Sequence, residues 1–119
     1  MSNHDLKIGT TAIIQYEGFK KAVTVTSFDE TSGLVNYQTK NVGDKAITKG
    51  GTIWVEDWGG VIHSQPYGWW AFDDFYPGES RSGSINIYKF EDMGRAGVGK
   101  LTIHFGLGDK EASWIIRAK

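Results

Sequence analysis

The stretch Ala22-Val23-Thr24-Val25-Thr26-Ser27-Phe28, followed by Asp29-Glu30-Thr31-Ser32-Gly33 and then Leu34-Val35-Asn36-Tyr37-Gln38-Thr39, decides the fold class. Successive side chains of a strand point to opposite faces, so apolar residues two apart build one buried face. Val23 and Val25 fall on one face, with Thr24 and Thr26 on the other. After the polar cluster, Val35 and Tyr37 fall opposite Asn36 and Gln38. A polar run ending in glycine between two alternating runs is turn chemistry, and the whole reads as a β-hairpin with a loop of about five residues.

The same period recurs outward from this hairpin. Leu101, Ile103 and Phe105 alternate with Thr102 and His104. Gly106 to Glu111 supplies a turn, and Ala112 to Arg117 returns with Trp114 and Ile116 on one face. Ser84 to Phe90 sets Ile85 and Ile87 against Asn86 and Tyr88. Ile13 to Tyr16 and Thr52 to Trp58 are further strands, and Val61 to Ser64 and Trp69 to Phe72 are shorter ones. No window sustains a 3.6-residue period, and Lys45 to Lys49 is too short for an independent helix. Seven to nine short, mainly antiparallel strands separated by turns predict a single all-β domain over residues 1–119, a β-sandwich or a barrel-like fold.

Composition narrows the function. At 119 residues the chain fits one domain, and it has no cysteine, so disulfides and thiolate metal sites are excluded. Thirteen Lys and Arg against fourteen Asp and Glu give a net charge of -1, without the basic excess on which affinity for a phosphate backbone rests. No nucleic-acid partner is expected. The apolar runs are only a few residues long, so no transmembrane helix is expected. Met1-Ser2-Asn3-His4-Asp5 leads into no apolar stretch of signal-peptide length. The expectation is a soluble protein, cytoplasmic or exported without a signal peptide.

Catalytic motifs are weak. Gly94-Arg95-Ala96-Gly97-Val98-Gly99-Lys100 matches most of a phosphate-binding loop, but Leu101 stands where the magnesium-binding hydroxyl belongs, and the segment leads into a strand instead of a helix. His63 and Ser64 are adjacent on a strand and point to opposite faces, so they cannot pair directly. No nucleophile elbow or EF-hand loop occurs. The acid pairs Asp29-Glu30, Glu56-Asp57 and Glu91-Asp92 read as solvated turn residues. No metal or cofactor is indicated, and the chain reads as a non-catalytic protein.

The most informative segment is Gln65-Pro66-Tyr67-Gly68-Trp69-Trp70-Ala71-Phe72-Asp73-Asp74-Phe75-Tyr76-Pro77-Gly78, with both prolines of the chain and six aromatics. Trp69 and Trp70 are adjacent, as are Phe75 and Tyr76, so an extended segment turns them to opposite sides and they cannot all face one core. Outward Trp and Tyr either stack on sugar rings, with Asp73 and Asp74 taking the hydroxyls, or settle at a membrane surface. The competing reading folds the cluster inward to cap one end of the domain. Trp54 and Trp58 share a strand face with Glu56, opposite Ile53 and Val55. Either face can be the core by pattern alone.

These motifs resemble the actinoporins and the fungal fruit-body lectins. In the first of these, a Pro-Tyr motif leads into a Trp/Tyr-rich membrane-facing loop, followed by an Ile-Tyr-Lys strand. Gln65-Pro66-Tyr67-Gly68-Trp69-Trp70 and Ile85-Asn86-Ile87-Tyr88-Lys89-Phe90 stand in that order here. The resemblance implies a β-sandwich with a head-group or glycan site in which Tyr67, Trp69 and Trp70 bear the rings. The chain departs in being shorter and in lacking an amphipathic N-terminal helix, since Gly9 to Gln15 reads as a strand. That argues against pore formation.

Together these observations predict a lectin-like binding module that recognises glycans through an aromatic patch of Trp54, Trp58, Tyr67, Trp69, Trp70, Asp73, Asp74 and Tyr76. The acids favour hydroxyl ligands over anionic membranes. A lipid head-group-binding or cytolytic protein is the runner-up. A small enzyme acting on glycans or small molecules, and a homo-oligomer contact through the same aromatics, are the remaining readings.

Overall fold

A computed structural model describes residues 3–47, 52–57, 59–64, 75–89, 99–107 and 110–118. Among these residues eight strands run in the order β1 (Thr11–Tyr16), β2 (Phe19–Asp29), β3 (Leu34–Asn41), β4 (Thr52–Glu56), β5 (Ile62–Ser64), β6 (Ser80–Asn86), β7 (Gly99–Leu107) and β8 (Lys110–Ala118). Among the described residues the only helical element is a single 3₁₀ turn at Ile87–Lys89. The strands form two four-stranded antiparallel sheets, β1-β2-β3-β6 and β5-β4-β7-β8. The predicted all-β sandwich is the observed fold.

The alternation read from the sequence is what closes the sandwich. Val23, Val25, Val35, Tyr37 and Ile85 of the first sheet are buried, as are Ile53, Val55, Phe105, Trp114 and Ile116 of the second. Tyr37 and Phe105 meet across the interface with ring centroids 5.4 Å apart, and Phe105 stands edge-on to Trp114 at 5.5 Å. The Trp114 indole N–H donates to the Thr10 carbonyl at 2.8 Å, satisfying the one polar atom that burial of this ring would otherwise strand. Leu6 pairs in parallel with Trp114, so the N-terminal segment extends the second sheet past β8. Gly83 lies opposite Tyr37 on the inner face, where a Cβ would sit 2.5 Å from the phenol oxygen; only glycine leaves room for that ring.

Several details differ from the predicted elements. The register shifts between Val25 and Ser27, which makes Thr26 a bulge residue. The bulge restarts the alternation and turns Phe28 inward beside Val35, against the core. The strand expected from Ser84 to Phe90 starts earlier, at Ser80, and ends at Asn86. Ile87 is still buried, carried inward by the 3₁₀ turn instead of by alternation. The terminal hairpin is tighter than its polar turn suggests, because pairing runs on to Leu107 and Lys110. Ile103 belongs to β7, but its side chain and the whole of the strand expected at Trp69 to Phe72 lie outside the described residues.

One end of the inter-sheet space is polar. Lys21 lies on the inner face of β2, fully buried, with its ammonium 5.6 Å from the centre of the Phe75 ring; the Arg81 guanidinium lies 4.5 Å from the same ring. Buried Asn41 gathers the neighbouring loop: its amide donates to the carbonyls of Lys45 and Phe75, and its oxygen accepts from the Gly43 N–H. Burial, with a smaller push from Arg81, lowers the Lys21 pKa from 10.5 to about 7. The unfolded chain therefore binds more protons than the folded one between those values, and stability rises with pH across that window.

Lys21→Met should remove this contribution. The variant should be more stable than the parent below pH 7, with the gap closing as the pH climbs toward 10.5, at a slope of at most about 1.4 kcal/mol per pH unit. Denaturant titrations of both proteins across the range check it. A gap independent of pH would show that the Lys21 ammonium keeps its ordinary affinity for protons.

Candidate functional site

The outer face of the second sheet is settled by which side of β4 is buried. Ile53 and Val55 are 1% and 0% exposed, so Trp54 and Glu56 point away from the core. Of the two assignments open in the sequence, the aliphatic face is the core. Cross-strand register then sets Trp54 opposite His104 and Glu56 opposite Thr102 on β7.

His104 is the centre of the group that results. Trp54 stacks on its imidazole with centroids 5.1 Å apart and planes 9° from parallel. Its Nδ1 lies 3.3 Å from a Glu111 carboxylate oxygen on β8, and its Nε2 lies 3.5 Å from Glu56. The other Glu111 oxygen is 3.6 Å from Nδ1 of His4. His4 is brought there because the N-terminal segment bonds to β8: the Leu6 N–H donates to the Ser113 carbonyl, and the Asp5 N–H donates to the Ser113 hydroxyl. The face thus carries a flat aromatic pair bordered by two carboxylates. A flat π surface suits the apolar face of a ring, and carboxylates accept hydroxyl or ammonium donors.

Asp57, next along from Glu56, works separately. Its carboxylate accepts from the Gly59 and Val61 N–H groups and lies 2.9 Å from Nε2 of His63. These bonds, the His63 contact first among them, lower the Asp57 pKa. They also hold the tight turn that returns the chain to β5, where Asp57 N–H donates to the Val61 carbonyl. Among the described residues, no three His, Asp or Glu side chains are placed to hold a metal ion.

Of the residues expected in one aromatic patch, Trp54 and Tyr76 are described. Tyr76 is 54% exposed and sits in the turn entering β6, where its N–H donates to Glu79 Oε1 at 2.6 Å. It belongs to the first sheet's end of the molecule, and Trp54 to the second sheet. Trp58, Tyr67, Trp69, Trp70, Asp73 and Asp74 lie outside the described residues. His104 and Glu111 were not singled out by sequence reasoning as site residues. The signal available was the placement of His104 on the polar side of its alternating strand.

The class that fold and site define is an all-β sandwich with an aromatic–acidic outer face. No family model matches the chain, and no curated protein matches it. Two solved structures of β-glucosidase 3B from Thermotoga neapolitana, with glycerol and with glucose, are similar to it at TM-scores of 0.46 and 0.42 and 12% and 11% identity. Each match covers 92% of this chain and 15% of the enzyme's. The chain therefore spans about 15% of the length of those enzymes, and a likeness at this level carries no statement about its activity.

A group with a depressed carboxylate pKa stabilises the fold above its unfolded value and loses that contribution as the pH falls through the folded value. Asp57→Asn should therefore be less stable than the parent at neutral pH. The difference should shrink as the pH is taken well below 3.8, and chemical denaturation at the two pH values measures it. Equal stability at neutral pH would mean that the Asp57 charge does not support the turn.

Proposed function

We propose that this chain is a non-catalytic, lectin-like module that binds glycans through an aromatic surface. The observation that carries this reading is the outward Trp54–His104 stack between Glu56 and Glu111. A partly exposed indole beside carboxylates offers a sugar both of its chemistries, a flat apolar platform and hydroxyl acceptors. Acidic neighbours disfavour an anionic bilayer, which attracts basic surfaces. The aromatic run that contains Tyr67, Trp69, Trp70, Asp73 and Asp74 follows Ser64 directly in sequence, and Ser64 pairs with Trp54. In this reading those residues, with Trp58 and Tyr76, extend the ligand contacts.

Tryptophan fluorescence of the parent and of Trp54→Ala, Trp69→Ala and Trp70→Ala, titrated with a glycan panel and with liposomes, tests it. Trp54→Ala should weaken glycan binding about tenfold or more, equivalent to about 1.4 kcal/mol. Its melting should change far less than the roughly 3–5 kcal/mol expected for a buried Trp→Ala. Neutral-glycan binding that survives all three substitutions, or liposome binding in place of glycan binding, would overturn the proposal.

A further inference from the structure

The outer face of the first sheet carries a groove of about 470 Å³ that the Trp54 face does not use. Register explains its lining. Thr11 pairs with Thr24, Thr24 with Gln38, and Gln38 with Ser82, so one straight row of hydrogen-bonding side chains crosses all four strands. One step along, Ala22 lies between Ile13 and Lys40, and Lys40 pairs with Ser80. The methyl group of Ala22 is the smallest side chain of that second row, and the surface dips over it. Gln38, Lys40, Ser80 and Ser82 are exposed at the rim.

The chemistry of this groove is the reverse of that of the second sheet. Threonines, serines, Gln38, Lys40 and Arg81 line it, and among the described residues no carboxylate does. The Thr11 and Thr24 hydroxyls already bond each other at 2.6 Å. Each hydroxyl offers one donor and two acceptor sites, so that bond fixes their rotamers and leaves acceptor capacity toward the groove. On the opposite face of the molecule, Glu56 and Glu111 flank the aromatic pair. A neutral sugar suits either surface, but a sugar carrying a carboxylate is repelled by the second and matched by the first.

We propose that the groove over Ala22 is a second saccharide subsite, selective for an acidic sugar whose hydroxyls bond to Thr24, Gln38 and Ser82 and whose carboxylate faces Lys40. The proposal rests on the glycan-binding reading above and adds to it a separate place and a charge preference.

The test is calorimetric titration of the parent with a galacturonic acid trisaccharide and with the corresponding neutral galactose trisaccharide, repeated with Ala22→Leu, Gln38→Ala, Lys40→Gln and Trp54→Ala. The acidic trisaccharide should bind more tightly than the neutral one and weaken with added salt. Ala22→Leu, which fills the dip from the solvent side, should lower its affinity at least tenfold, and Gln38→Ala should lower it severalfold should the larger variant melt early. Lys40→Gln should cost about fivefold for the acidic ligand alone, as expected of an exposed charge pair. Trp54→Ala should weaken the neutral trisaccharide, which the Trp54 face binds, more than the acidic one. Acidic-ligand binding that is indifferent to Ala22→Leu and Gln38→Ala, or absent from the parent, overturns the subsite. Loss of neutral-glycan binding in Trp54→Ala alongside that result would leave the first proposal standing.

Discussion

The contact on which the rest of the molecule depends is the aromatic chain Tyr37–Phe105–Trp114. It begins on the first sheet, crosses to the second, and ends at the backbone of Thr10 through the Trp114 indole. Aromatic pairs of this kind contribute about 0.5–1.5 kcal/mol each beyond the area they bury, and these two tie together strands from both layers and the segment leading into β1. Gly83 is the condition for it, because no larger residue fits under the Tyr37 ring. With the inner faces filled in this way, the alternate residues along the strands point outward. Both candidate surfaces are built from those outward positions.

The two surfaces differ because the two sheets differ at their outward positions. The first sheet places threonine, serine, glutamine and lysine there, in rows that run straight across four strands. The second places Trp54, Glu56, His104 and Glu111 there, and the N-terminal segment adds His4. The Lys21 end of the sandwich adds a further asymmetry. An ammonium buried beside Phe75 opposes folding below neutral pH, and the Asn41 network holds that end shut by satisfying the loop's backbone carbonyls.

The hairpin of β2 and β3 was legible in the sequence because period-2 alternation and a polar loop state the same structure twice. Burial of Val23, Val25, Val35 and Tyr37 follows from that pattern. The bulge at Thr26 shows in the sequence only as Phe28 standing out of phase with Val23 and Val25, a break that the end of a strand would give as well. The face of β4 was undecided for a physical reason: Trp54 is as apolar as Val55, and only the neighbour across the ladder, Phe105 beside Ile53, chooses between them. The grouping of Glu56, His104 and Glu111 depends on register between strands that are far apart in the chain, which no local pattern encodes. The groove over Ala22 depends in the same way on alignment across four strands. In the segment that holds Tyr67, Trp69, Trp70, Asp73 and Asp74, adjacent aromatics of an extended chain turn to opposite sides and cannot all face one core.

The most direct measurement of glycan recognition on the outer faces of this sandwich is a map of amide and indole N–H chemical shifts during saccharide titration. Shifts at the Trp54 indole and along β4 and β7, with the Trp114 indole unmoved in its bond to Thr10, are the expected result. Shifts spread through the buried aromatic chain, or none at Trp54 while a neutral saccharide binds elsewhere, would contradict it.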